Sequence, residues 1–549
     1  MNHSSDAHAI AGPSDAQRRW LFLNCFIALV ATSFAFMIRA MIGADWGAQF
    51  GFSETQVGEL FGAGLWPFAI SIILFSLVID KIGYKQALVF AFVCHVVSVL
   101  ITIMAPRLAA EGDGFNKEMA YNVLYAGNFI AALAAGTVEA VINPVIATVY
   151  WKQKTKWLNI LHAGWPGGIV IAGVLTLSMG AGGVIATGSS DVGLWQWKVG
   201  LLLIPTFIYG LMMFRSTFPV NERVAAGVPY MDMLREFGAA GAFIALAMVF
   251  MELGNVFGWL ELTGGWYGVS YITIGCVVVL TGIYLAVSRS LGRPLFIFLL
   301  LVMILLATTE LGTDSWIKSL MTPVTERRFG ISGGWVLVYT ATIMMVLRLC
   351  AGPITRRMNP LIMLAVSSLF AAAGLAFLSI SAGLIILAAA TIYGIGQTFF
   401  WPTTLGLIAE RFPRGGALTL NAIAGVGMLG VGILGAPFLG LIQDRHTAAM
   451  LHEEHPAIYS EVIGETQISV LGYYEPIDAE KIAALPAEQQ AQVTDARNAS
   501  RKSALVQVAI LPLIMFVCYL GLLVYFKSRG GYRAETLIDE NLLPPAPTE

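Results

Sequence analysis

Long apolar runs separated by short polar or basic connections alternate along nearly the whole chain. Each run is about 20 residues or more, the length of a helix that crosses a hydrocarbon core. They predict spans near 20–42, 54–79, 86–106, 122–150, 157–186, 196–217, 239–260, 268–288, 294–320, 333–355, 360–380, 382–409, 417–441 and 504–527, fourteen in all. Lys and Arg concentrate in alternate connections: Arg18 and Arg19, Lys81 and Lys85, Lys152 to Lys156, Arg215 to Arg235, Arg289 and Arg293, Arg356 and Arg357, Arg411 and Arg414, and Lys527 to Arg533. The positive-inside rule places these connections and both termini in the cytoplasm. Arg327 and Arg328, in "TERRFGISGG", are the exception. Residues 107–121 form a short outer loop, and the acidic stretch 442–503 a larger outer insertion expected to hold one or two amphipathic helices.

Composition agrees with the pattern. Hydrophobic residues make up 57% of the 549 and charged residues 12%, with a mean hydropathy of +0.74, whereas soluble domains have about 45–50% and 25%. An integral membrane protein follows, with the lipid bilayer as its surroundings and a cell inner membrane as its location. A net charge of -2 gives no reason to expect nucleic acid. Cys25, Cys94, Cys276, Cys350 and Cys518 all fall in apolar runs without metal-type spacing, so neither a disulfide frame nor a metal site is expected. No cofactor is expected, and no Walker-type loop is present for an ATP-driven pump. The opening "MNHSSDAHAIAGPSDAQRRW" is polar for too long to resemble a cleaved signal peptide, so the first span is expected to stay.

The two halves of the chain echo each other. "INPVIATVYWKQKTKWLNILHAGWPGGIV" and "FWPTTLGLIAERFPRGGALTLNAIAGVGMLGVG" share an Xaa-Pro inside a span, a basic loop, then Leu-Asn and a glycine-rich helix; "VIDKIGYK" similarly answers to "RLCAGPITRRMNP". Repeats of this kind build alternating access around a central site in secondary transporters. The spans near 239–260 and 268–288 then form a pair inserted between two six-span halves. The expected organisation is a tail at 1–19, a first bundle at 20–217, a connection with two additional helices at 218–293, a second bundle at 294–527 and a tail at 528–549. A monomer is expected.

"VIDKIGYK" resembles a degenerate form of the major facilitator signature between spans two and three, lacking its leading glycine. The whole chain is similar to that superfamily, which implies an all-α polytopic membrane protein with the major facilitator fold. Within it, "GNFIAALAAGTVEAVINPVIATVYWKQKTKWLNILHAGWPGG" and "TTELGTDSWI" resemble the fucose-galactose-glucose:proton symporter family, whose fourth span carries Glu, Asn-Pro and Leu-Asn and whose second half opens on a span with a glutamate and a downstream tryptophan. One departure stands out: the fucose permease type has an acidic residue in span one, where "SFAFMIRAMIGADW" has Arg39.

Glu139 lies in mid-span, where a charge costs at least about 2.5–3.5 kcal/mol and marks an ion, proton or substrate path. Asn128, Ala132, Ala135, Glu139 and Asn143 fall on one helical stripe, expected to face a water-filled cleft. The alternative is a structural carboxylate tied to Arg39 or to backbone. Glu310 and Asp314, four apart, share a helix face and could hold a cation or meet sugar hydroxyls; Asp314 alternatively belongs to an outward funnel. Glu139 and Glu310 are the candidates for proton coupling. Tyr393, Gln397, Phe400, Trp401 and Thr404 form a stripe of aromatic rings beside an amide, which suits a sugar and equally suits packing. Arg39, Asn128, Asn143, Asp314, Tyr393, Gln397 and Trp401 are therefore the candidate substrate residues. Asn159 and Asn421 occupy matching repeat positions near the cytoplasmic gate, where helix–helix hydrogen bonding is the plainer role for Asn421. Asp80, Lys81, Asn159, Arg348, Arg356 and Arg357 are expected to lock the cytoplasmic surface; His162 and "WPGG" are expected to bend their helix.

These residues point to a secondary active transporter for a small polar solute, a monosaccharide first, with a proton as coupling ion and sodium as the other choice. The alternatives are an organic-anion transporter of the sugar-acid or organophosphate kind, using an unpaired Arg39, and a transporter-fold sensor that does not translocate. An enzyme is not expected, because no His or Ser-His-Asp set clusters inside the spans.

Overall fold

A computed structural model describes residues 14–179, 194–313 and 334–537, except 53, 113, 382–383, 465–466, 470–471 and 476. Among the described residues thirteen helices are long and apolar enough to cross a membrane, and the shorter Leu337–Leu349 adds a fourteenth apolar segment. In chain order the spans are Asp15–Gly43, Gln56–Ile82, Tyr84–Leu108, Lys117–Val149, Trp151–Leu177, Trp195–Phe214, Tyr230–Val256, Tyr271–Ser288, Pro294–Gly312, Leu337–Leu349, Pro360–Ile380, Ile385–Arg411, Pro413–Gly435 and Leu505–Ser528. Three two-stranded hairpins are the only sheets among the described residues, so the architecture is all-α.

Local chemistry sets many of the helix ends. Ser14 and Gln17 form a reciprocal capping box at the start of the first span. Asn116 caps the fourth by accepting from the Met119 amide, and Asn359 caps the eleventh just before Pro360. The sequence pattern treated the second, fifth and twelfth spans as single helices, and each is broken. The second divides into Glu54–Gly62 and Trp66–Ile82. The fifth divides at His162 and Ala163, and the twelfth between Gln397 and Phe400.

Close packing rests on small residues, as expected where lipid gives apolar side chains no reason to leave it. A Cβ added to Gly136 of the fourth span would lie 2.2 Å from the Phe68 carbonyl oxygen of the second, so only glycine lets these helices approach. The seventh and eighth spans pair as a hairpin. The seventh packs on the thirteenth, while much of the eighth is exposed on the outside of the protein.

The first and last described residues share one face, hereafter the terminal face. Asn24 Nδ2 donates to Ser216 Oγ at 2.9 Å, joining the start of span one to the end of span six, and Arg411 Nη1 donates to the Arg533 carbonyl at 2.6 Å. On the opposite face the 442–503 insertion is more than one or two amphipathic helices. Ala436–Glu454, Pro456–Val462, Ala479–Ala484 and Ala487–Val508 surround a hairpin and share a small apolar core of Leu451, Ile458, Val462, Ile477, Leu485 and Val493. Their apolar faces meet one another, which a polar average composition conceals. Asp314, Arg327 and Arg328 lie outside the described residues.

Candidate functional site

A row of buried polar side chains crosses from the first half to the second. Glu139 and Asn143 stand one turn apart on the fourth span, and Asn143 Nδ2 donates to Glu139 Oε2 at 3.0 Å. With the amide so turned, its Oδ1 accepts from His162 Nε2 at 3.0 Å. His162 sits at the break in the fifth span, where its own carbonyl is released from the helix ladder. That carbonyl accepts from Arg348 Nη1 at 3.0 Å across the interface. Arg348 Nε donates to the Thr398 carbonyl at 2.7 Å, at the break in the twelfth span, and Nη2 to Glu310 Oε1 at 3.1 Å. Glu310 occupies a π-helical turn, Thr308–Gly312, at the end of the ninth span.

The helix breaks are what make this row possible, because each frees a carbonyl that an intact helix would use. Every member is sealed: Glu139 is 3% exposed, Asn143 and His162 are buried, and Arg348 and Glu310 form a buried ion pair. The row holds two carboxylates and one guanidinium, so one added proton would make the ionic set neutral. Such a site can exchange a proton with little net charge in the low-dielectric interior.

The structure changes several sequence expectations. Arg348 is not a cation on the cytoplasmic surface; it is 2% exposed at the centre of the row, because the tenth span buries the end that carries it. His162 does not merely accompany a bend but links the halves. The run "IMMVLRLCAG" carried the missed signal, an intramembrane cation, which is costly for the same reason as Glu139. Ala132 and Ala135 do not face a water-filled cleft: they pack with Phe68 and Met428. Arg39 does not pair with Glu139. Its Nη1 donates to the Asn128 carbonyl at 3.4 Å, and Asn128 precedes Glu139 by eleven residues, about 16 Å along a helix.

Side chains of the twelfth span reach the same region. The Tyr393 hydroxyl donates to the Thr309 carbonyl at 2.5 Å and touches Thr313 Oγ1, holding the turn that carries Glu310. Gln397 Nε2 lies 3.7 Å from Met344 Sδ, and Trp401 lies against Gly427 of the thirteenth span. All three are buried.

The terminal face closes over the row. Asn159 Nδ2 donates to Thr403 Oγ1 at 3.2 Å, and Asn421 Nδ2 to the Ala140 carbonyl at 3.1 Å, both from one half to the other. Lys154 joins Glu222 at 2.6 Å and the Ala409 carbonyl at 3.0 Å. Thr155 donates through its amide and its hydroxyl to Glu410 Oε1, at 3.3 and 2.5 Å. Tyr532 donates to the other Glu410 oxygen at 2.7 Å, and burial, then the Glu410 carboxylate, push its phenol up so that it stays a donor. Asp80 pairs with Arg223 of the 218–238 connection at 2.5 Å, and Lys81 stacks over Tyr230. Asp80 therefore holds that connection, and makes no pair with the second half among the described residues. Arg356 and Arg357 are exposed.

The fold has known counterparts. A double-tryptophan mutant of XylE, elsewhere described as the xylose transporter from E. coli, superposes with a TM-score of 0.59 at 12% identity, covering 96% of this chain and 98% of that one. A bacterial homologue of the human lysosomal transporter Spinster, inward-facing and occupied, gives 0.53 at 15% identity, covering 94% and 99%. The E. coli fucose:proton symporter FucP gives 0.49 at 13% identity, covering 90% and 99%. No curated protein sequence is similar to the chain. The family model described as Major Facilitator Superfamily matches residues 24–437, from the first span through the thirteenth, and the chain belongs to that superfamily.

Proposed function

We propose that this transporter moves a small neutral polar solute, a monosaccharide, across a cell inner membrane by alternating access, and that a proton drives it. The terminal face, rich in Lys and Arg, is then cytoplasmic. The observation that carries the proposal is the buried row from Glu139 through Asn143, His162 and Arg348 to Glu310. One of its hydrogen bonds, from Arg348 Nη1 to the His162 carbonyl, crosses the plane along which the two bundles must part, so moving the bundles must remake it. Protonating Glu139 removes the charge that holds Asn143 and lowers the cost of that rearrangement. Glu310 and Arg348 neutralise each other and form the fixed part of the couple. Arg348 spends donors on Thr398, His162 and Glu310, which leaves it poorly placed to bind an anionic solute and favours a neutral one.

The test is Glu139→Gln in proteoliposomes with an imposed pH gradient. A neutral amide stands for the protonated acid, so uphill accumulation is expected to disappear while counterflow exchange persists. Uphill uptake equal to wild type removes Glu139 from coupling. In competition assays neutral hexoses are expected to displace the solute better than uronates or sugar phosphates, and the reverse order would overturn the sugar reading.

A further inference from the structure

The first half holds a polar cavity away from the row. The Arg39 guanidinium reaches over the break in the second span and lies against Gly64, where an added Cβ would fall 2.5 Å from Nη1 and 2.7 Å from Cζ. It opens on a cavity of about 30 Å³ whose polar lining is Arg39, Trp46, Ser98, Thr102 and Asn128. No carboxylate lines this cavity. Trp46 and Asn128 are each 2% exposed, and Trp46 Nε1 and Asn128 Nδ2 find no acceptor among the described residues. Arg39 Nη1 reaches the distant Asn128 carbonyl at 3.4 Å. Ser98 already donates to the His95 carbonyl at 2.8 Å.

Three residues with N–H donors, one of them cationic, thus line one small space. Buried donors without acceptors and a half-buried cation without a counter-charge among the described residues are each costly, and both costs fall on the same few ångströms. A water molecule could accept from two donors but would leave the guanidinium charge uncompensated. An anion does both. The space exceeds the ~10–15 Å³ that a water-sized particle needs and is far below the ~300–1,000 Å³ of organic-ligand sites. An organophosphate or sugar acid does not fit it.

We propose that this cavity binds a monovalent anion of halide size, chloride under ordinary conditions, as the counter-ion of Arg39. The site lies among the first, third, fourth and sixth spans, so the ion holds the first bundle together and is separate from the transported solute. Anion binding would stabilise the folded protein by mass action.

The experiment measures the melting temperature of the purified full-length protein in sodium chloride, sodium bromide and sodium gluconate at equal ionic strength. Wild type is expected to melt higher in the halides, with a saturable dependence, and Arg39→Gln to lose that dependence. Trp46→Phe keeps an aromatic ring and removes the donor, and is expected to weaken the apparent chloride affinity roughly tenfold. Equal melting of wild type in chloride and gluconate, as for a cavity filled by water, would overturn the proposal. So would a chloride response unchanged in Arg39→Gln or, should that variant fail to fold, unchanged in Trp46→Phe.

Discussion

Arg348 Nη2 lies 3.1 Å from Glu310 Oε1, and the two side chains are 2% and 6% exposed, so the tenth and ninth spans are joined by an ion pair sealed inside the protein. Breaking one partner strands the other charge. Arg348→Gln and Glu310→Gln, each alone, are expected to cost about 3–5 kcal/mol of stability. The double variant Arg348→Gln with Glu310→Gln, which strands neither charge, is expected to recover much of that loss while staying inactive in transport. Thermal denaturation of the four proteins in one detergent measures the cycle; equal losses in the single and double variants would show that the pair is not held by mutual compensation.

The terminal face gives a second expectation. Glu410 accepts from Thr155 of the first half and Tyr532 of the tail, so Glu410→Ala releases both. In a background without the five native cysteines, a cysteine replacing buried Ala147 is expected to react with maleimide several-fold faster once Glu410 is removed. An unchanged rate would mean that the closure rests on the Asn159–Thr403 contact or on Lys154 instead.

Orientation can be read directly. Ser460 and Ala225 are exposed on opposite faces. A single cysteine at Ser460 is expected to react with an impermeant reagent in intact cells, and one at Ala225 to be protected. The opposite result would invert the assignment of the terminal face to the cytoplasm.

Gly136 tests packing. Gly136→Ala places a methyl 2.2 Å from the Phe68 carbonyl, so the second and fourth spans must part, at a cost of about 1–3 kcal/mol. Gly275→Ala, with open space around its added carbon, is the control and is expected to leave the melting temperature unchanged.

The spans were legible because a hydrocarbon solvent imposes length and apolarity on each one separately, and Glu139 was legible because a carboxylate violates that rule. The partners of Glu139 were not. Asn143 lies one turn away and could be placed on the same face, but His162 and Arg348 reach the row only through helix breaks and through packing between distant parts of the chain. Arg39 illustrates the same limit. Its place in the first span was readable, yet whether it met Glu139 depended on its height against the fourth span, and it meets Asn128 about three turns away. The insertion was misjudged for a different reason: its small core is spread over four helices, two long and two short, none apolar enough to stand out.

That insertion is joined to the membrane part by unusually stiff connections. Ala436–Glu454 continues directly from the thirteenth span, and Ala487–Val508 is separated from the Ile510–Ser528 helix by Ala509 alone. The two long helices also pack on each other. Any tilt of the thirteenth or fourteenth span would therefore swing the whole insertion with it, as the pointer of a gauge magnifies a small rotation of its axle. A pair of spectroscopic probes, one on this insertion and one on the first bundle, would convert a shift of a few ångströms at the buried row into a much larger distance change, and an antibody fragment raised against it would give electron microscopy a landmark on a protein otherwise hidden by its detergent belt.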